Sequence, residues 1–451
     1  MPGFTISGIG SGLDINSIVS QLVAADRAGA DGRISRSVNT ANAQLSALGT
    51  FRAASDALRK QVTSLQSSSL TAWKASVPEG ASFSATAAGG AQSGTYSVTV
   101  EQQARAHVLR SDPYASVNSE VGEGSLQIDF GDQSFSVNIG SDQRGLSDIA
   151  AAINTASDNP GVNARVVMAD DGAHLILSSR SAGSDHALRV ISSGGDGGLA
   201  ALDYDPGNSV ALTETQPALD ARLWVDGLQV TRGSNTISDV IPGVTLNISG
   251  QEPGVPRQLT VAADLDATVA RINNMVSAYN ATVATARQAT RYDAATKTAG
   301  VLQGDATLRG AAASLRGAVN SPMSGGTYAV MTDIGIKTAT DGTLSIDTAA
   351  LRSALESSPE GVARLLTGAG GLTERIDGVL DEYLGSDGRI TSKTDGLNAR
   401  LKFAQQQQQQ LDRRMEMVQA RYQAQFSALD TLVGQMSSTS DYLAAQLARL
   451  G

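Results

Sequence analysis

The apolar pattern of the last fifty-odd residues constrains this chain more than any other feature. Leu397, Leu401, Ala404, Leu411, Met415, Val418, Tyr422, Leu429, Leu432, Met436, Leu443 and Leu450 all fall in one register of alternating four- and three-residue steps. Persistence over several heptads is the signature of a coiled-coil helix. At about 1.5 Å per residue the segment predicts a rod of roughly 80 Å. Burying each Leu is worth about 1.5 to 3 kcal/mol, so the seam requires a partner, either an N-terminal helix or other copies of the chain. Gln408, Gln425, Thr439 and Gln446 occupy the same register. Polar residues at seam positions lower stability while fixing alignment or allowing exchange.

Proline placement shows where such helices fit, because the ring fixes φ and removes a backbone donor. None lies between Pro2 and Pro78, and none follows Pro359. Both ends are therefore free to be helical, and the middle carries the punctuation of strands and turns. A short amphipathic helix is expected after the capping-box-like Ser11-Gly-Leu-Asp14, with Ile15, Ile18, Val19, Leu22 and Val23 on one face. The glycines of Ala28-Gly-Ala-Asp-Gly32 predict a break. A second helix then shows Ile34, Val38, Ala41, Leu45 and Leu48 in heptad spacing, shifting phase at Phe51 towards Leu58, Val62 and Leu65.

Period-two alternation predicts strands at 94–100, 126–130 and 134–139, the last two joined at Gly131-Asp132. A short helix carries Leu146, Ile149, Ala150 and Ile153. Strands at 164–168 and 174–178 flank the turn Asp170-Asp-Gly172, and the glycine cluster at 192–198 is expected to be a mobile loop. Strands at 223–225, 228–230, 244–248 and 258–261 are expected to share a sheet with 95–100. A helix follows from Leu265, then a hairpin around Asp341-Gly342, then short helices near 347–356, 360–367 and 372–384.

Several chemistries have little support. The chain of 451 residues has no cysteine, which excludes thiolate metal sites and cysteine nucleophiles. Its net charge of -10 disfavours nucleic acid and anionic lipid as partners. No run approaches the roughly 18 apolar residues that span a bilayer, so no membrane insertion is expected. The first basic residue is Arg27, so a secretory leader is not indicated. Gly8-Ile-Gly10-Ser-Gly12 lacks the strand, spacing and Gly-Lys pair of a phosphate loop. His107, His174 and His186 show no metal-pair spacing, and His174 and His186 are expected at the surface or at strand edges. The carboxylate pairs Asp170 with Asp171 and Asp203 with Asp205 sit in turns, where Asp caps its own backbone. No cofactor and no catalytic residue is expected. Two other classes stay open on the residues alone: a coiled-coil surface adhesin, and a secreted glycan-processing enzyme.

Longer motifs carry a resemblance. Ile6-Ser-Gly-Ile-Gly-Ser-Gly-Leu-Asp14 with Ser17-Ile-Val-Ser-Gln-Leu-Val23 resembles the opening of the bacterial flagellar filament cap family. Ile128 to Asn154, with Leu146-Ser-Asp-Ile-Ala-Ala-Ala-Ile-Asn154, resembles the small repeat that flagellins and cap proteins share in their outer domains, and Asp226-Gly-Leu228, 237–246, 332–336, 341–347 and 422–430 resemble later signatures of the cap family. The resemblance implies an α+β multidomain fold: coiled-coil helical termini (1–40 and 400–451), a helical leg domain with a β-hairpin (41–80 and 265–399), a β-rich domain (81–105 and 206–264) and an inserted α+β outer domain (106–205). It implies a ring-forming homo-oligomer at the filament tip that templates folding and insertion of flagellin. It also implies contact with hook–filament junction proteins and export by the flagellar type III system. The association seam is expected at Ile15, Ile18, Leu22, Leu45, Leu48, Leu411, Met415, Val418, Tyr422, Leu429, Leu432 and Met436, and an export-chaperone surface at Leu443, Leu447 and Leu450.

Overall fold

The computed structural model describes residues 14–67 and 69–448. Its helices are α1 (Ile15–Ser67), α2 (Leu146–Thr155), α3 (Leu265–Thr290), α4 (Ala306–Asn320), α5 (Thr348–Ser357), α6 (Pro359–Thr367), α7 (Leu372–Leu384) and α8 (Arg389–Ala448). The chain divides into two compact units, one of residues 1–70 with 269–451 and one of 71–268.

The first unit is helical. Asp14 starts α1 by accepting a hydrogen bond from the Ser17 N–H at 3.1 Å, as an N-cap carboxylate does. The expected break at Gly29 and Gly32 does not occur, and α1 runs unbroken for 53 residues. Each glycine costs a helix interior only about 0.5–1 kcal/mol relative to alanine. Packing of α1 against α8 and ion pairing around Asp31 outweigh that cost. Beyond the phase shift, Phe51, Leu58, Val62 and Leu65 are buried, as are Ile272, Met275, Tyr279 and Val283 of α3. Thr282 ties these helices by donating to the Ala54 carbonyl at 3.1 Å.

Helix α4 is absent from the sequence expectations. Asp305 caps it through the Thr307 and Leu308 amides, and Leu308, Ala311, Leu315 and Val319 form its buried stripe. The hairpin of Ile336–Thr338 with Leu344–Ile346 turns at Gly342, whose φ of 86° favours glycine. Asp341 holds the turn by accepting from the Thr343 amide and hydroxyl.

The second unit has two cores and antiparallel ladders throughout its described sheets. One core lies between a five-stranded sheet, ordered 72–76, 257–264, 94–102, 221–225 and 228–232, and a three-stranded sheet, ordered 236–241, 244–248 and 83–87. Phe83, Val98, Leu223, Leu246 and Leu259 fill it. The expectation that 244–248 shares a sheet with 94–102 is therefore corrected. Gly243 turns the chain at φ 70°, where a β-carbon would meet the Ala91 amide at 2.3 Å, and Val244–Ile248 pairs instead with Phe83–Ala87. Residues 72–76, placed with the helical leg by sequence, form an edge strand against 257–264.

The other core belongs to residues 109–212. A five-stranded sheet of 124–130, 133–139, 188–193, 204–205 and 209–210 and a four-stranded sheet of 108–110, 162–169, 172–179 and 213–216 enclose it together with α2. The glycine cluster is not a free loop. Asp196 accepts from the Glu123 and Gly198 amides, and β-carbons at 195 and 198 would strike the carbonyls of Glu123 and Val121 at 1.8 and 2.1 Å. These glycines exist because two backbone segments touch there.

Candidate functional site

The terminal helices supply the surface expected to carry function. Ser37 lies beside Arg400, Asp31 beside Gln408, and Arg27 beside Asp412, so α1 and α8 run antiparallel. Arg27 bonds Asp31 one turn along its own helix and reaches the Asp412 carboxylate at 2.6 Å, and Gln408 donates to Asp31 at 3.0 Å. The hydrogen bond from Gln408, followed by that from Arg27, holds the Asp31 carboxyl below its ordinary range. Gln408, expected as an alignment residue, thus sets register within one chain. Its partners Asp31 and Asp412, and the Arg27 that pairs with both carboxylates, were not anticipated, although an Arg and an Asp four residues apart beside a polar seam position were a readable signal.

The expected seam residues divide by position. Ile15, Leu48 and Met415 are buried, and Ile18, Leu45, Leu411, Val418 and Tyr422 are half-buried. Tyr422 also donates its hydroxyl to Asp26 at 3.0 Å. Leu22 is 39% exposed: in the continuous helix the stripe facing α8 passes through Ile15, Val19 and Val23, leaving Leu22 beside it. Val19, absent from the expected set, is buried at 1% exposure.

Extending the register of these polar contacts places Ile15 opposite roughly residue 424, at equal rise per residue on both helices. Among the described residues, α8 beyond that point has no α1 against it. The burial follows: Met415 is 6% exposed, whereas Met436 is 65% and Leu447 is 71% exposed. Leu429, Leu432 and Leu443 are likewise open to solvent. Leu450 lies outside the described residues. The last 20 described residues of α8 therefore form an overhang of about 30 Å with an uncovered apolar stripe.

Most of the candidate chemical groups hydrogen-bond within the fold. His174 is buried, against the expectation of a surface position; its Nδ1 faces the Ser111 carbonyl at 2.7 Å and its Nε2 the Asp171 carboxylate at 2.9 Å. Both neighbours are acceptors, so both ring nitrogens donate, and the carbonyl foremost, then the carboxylate, raise its pKa. His107, also buried, accepts at Nδ1 from the Leu188 amide at 2.8 Å and donates from Nε2 to Glu214 at 3.0 Å. Burial foremost lowers its pKa, despite Glu214. His186 is half-buried beside the Phe130 ring. Asp203 accepts from the Ser192 amide at 2.7 Å, and Asp205 is held at about 2 by Arg189 foremost and then Asn208. Among the described residues no cluster of His, Asp and Glu is placed to hold a metal ion, and no helix is long and apolar enough to cross a membrane.

The chain has relatives among known proteins. The family profile for the flagellar hook-associated protein 2 N-terminus matches residues 11–107, and that for its C-terminus matches 218–438. Over 464 residues the chain is 31% identical to the flagellar hook-associated protein 2 of Escherichia coli K12, covering 99% of this chain and 98% of that one. The chain belongs to the flagellar hook-associated protein 2 family. The A-type member from Pseudomonas aeruginosa is 29% identical over 467 residues, covering 99% and 98% of the two chains. A crystal structure of the D1-D2-D3 domains of the Escherichia coli flagellar cap protein FliD superposes with a TM-score of 0.68 at 30% identity, covering 78% of this chain and 99% of that one. The α+β multidomain fold is thus a family fold, and the protein is a structural cap component of the flagellar filament. The stretch between the two profile matches, 108–217, contains the second β core, Leu109 to Leu212.

Proposed function

We propose that this protein works as a homo-oligomeric ring at the filament tip, and that its terminal helices are legs whose seam is completed by neighbouring chains. The observation that carries this reading is the overhang of α8. Leu429, Leu432, Met436 and Leu443 lie in solvent at heptad spacing, with Leu447 exposed one position off that register, each at a cost that burial would recover. The partners proposed are other copies of the chain, incoming flagellin that folds and inserts beneath the cap, and the proteins of the hook–filament junction. Before export through the flagellar type III system, an apolar stripe of this kind requires cover. The surface at Leu443, Leu447 and Leu450 is assigned to a cytoplasmic export chaperone. Catalysis has no place in the reading, since the histidines and carboxylates serve the fold.

The test is complementation of a strain lacking its cap. A chain ending after Ala428, and a full-length chain with Leu429→Ser, Leu432→Ser and Met436→Ser, are expected to abolish swimming and release monomeric flagellin into the medium. Normal swimming with either would overturn the proposal.

A further inference from the structure

We infer that the α8 overhang of one copy, residues 429–448, docks into the groove between α1 and α8 of a second copy. This rests on the oligomeric reading above and names the contact. The groove, of about 480 Å3, is lined by Ile34 and Leu411 together with Gln407 and Gln410, and it carries Arg33 and Arg414. Both arginines are exposed. Among the described residues neither guanidinium has a carboxylate partner, in contrast to Arg27, which is held by Asp31 and Asp412. The groove thus combines a small apolar surface, from Ala30, Ile34 and Leu411, with amide side chains and two positive charges that lack a carboxylate partner.

The overhang has the complementary character. From Tyr422 to Ala448 the sequence contains Asp430 and Asp441 and no lysine or arginine. Leu429, Leu432, Met436 and Leu443 present the i, i+3, i+7 and i+14 anchors of a helix that lies in a groove. A chain's own overhang cannot reach its own groove. Helix α8 is unbroken, so Leu429 lies about 27 Å further along the axis than Leu411. The occupant is therefore another molecule. A contact between two different patches of identical chains is heterologous, and it closes into a ring when the rotation per copy permits.

Because the chain has no cysteine, introduced thiols report the contact directly. Full-length Gln410→Cys protein is mixed with full-length Val433→Cys or Ser437→Cys protein and oxidised, and the cross-linked peptides are identified by mass spectrometry. We expect a disulfide between copies for at least one pair. Arg33→Glu with Arg414→Glu in the groove copy should lower its yield roughly fivefold at low salt, from two partly exposed charge pairs. Asp430→Arg with Asp441→Arg in the overhang copy should restore it. Circular dichroism on each variant identifies any loss of helix that would account for a lower yield.

An oligomer by sedimentation with no disulfide in either mixture overturns the docking contact and leaves the cap reading standing. So does a disulfide whose yield ignores charge reversal, or one formed only to added cysteine-bearing flagellin. A chain that stays monomeric at every concentration overturns the contact and the oligomeric reading together.

Discussion

At the scale of single residues, the two buried histidines show how partner type decides protonation. His174 meets only acceptors and is stabilised as the cation, while His107 must leave Nδ1 unprotonated for the Leu188 amide. The linkage runs in opposite directions. The raised pKa of His174 contributes stability that is complete below the ordinary value near 6.5 and fades as pH rises through the folded pKa. The lowered pKa of His107 contributes stability present above that ordinary value and lost as pH falls through the folded one. In an NMR titration of the ring protons, His107 should titrate below and His174 above pH 6.5; the reverse order would contradict the assignments. Tyr279 offers a second residue-scale prediction. Its hydroxyl is buried without a hydrogen-bond partner, and burial pushes its pKa up to about 12. An unsatisfied buried polar group costs about 1–3 kcal/mol, so Tyr279→Phe should preserve or raise stability in urea unfolding. A loss above about 1 kcal/mol would show that the hydroxyl has a partner.

At the scale of elements, α1 and α8 are long helices with opposite defects. Helix α1 carries Gly29 and Gly32, whose added β-carbons would meet nothing within 4 Å and only the Arg36 guanidinium at 3.5 Å, respectively. Gly29→Ala with Gly32→Ala should therefore stabilise the helix by about 0.5–1 kcal/mol per site, read as a later denaturation midpoint. Helix α8 carries polar residues in its apolar register, and Gln425 and Thr439 lie at and beyond the end of α1. If those interruptions keep leg contacts exchangeable, Gln425→Leu, Thr439→Leu and Gln446→Leu together should slow filament growth by over-stabilising them. Filament length against time, measured on labelled cells, decides the matter, and an unchanged rate would count against exchange.

At the scale of the whole molecule, acid sensitivity is spread over both units. Asp205 is held at about 2 chiefly by Arg189, Glu252 at about 2 chiefly by Arg257, and Asp341 at about 2 chiefly by the Thr343 hydroxyl, then its amide and Arg287. Each folded pKa lies below its unfolded value. Each group thus stabilises the fold above about pH 4 and loses that contribution as pH falls towards 2. Thermal unfolding from pH 5 to 2.5 should show a steady fall in midpoint, shallower when Asp205→Asn, Glu252→Gln and Asp341→Asn are combined. A pH-independent midpoint in the unsubstituted chain would refute the linkage.

Local pattern alone determined the period of the terminal seams, the alternation of 124–130 and 133–139, the turn at Gly131-Asp132 and the short helices after residue 347, because each depends on side chains a few residues apart. Tertiary contact decided the rest. Helix α1 crosses two glycines because α8 packs and pairs along it, and strand 244–248 leaves the expected sheet because its apolar face fits Phe83–Ala87. The clustered glycines at 192–198 are closely packed because a segment seventy residues earlier presses on them. His174 is buried by its partners Ser111 and Asp171, whatever its flanking sequence suggests. Most of all, which part of one long apolar stripe is covered and which is left open depends on where α1 begins opposite α8, and a heptad pattern is identical on both sides of that point.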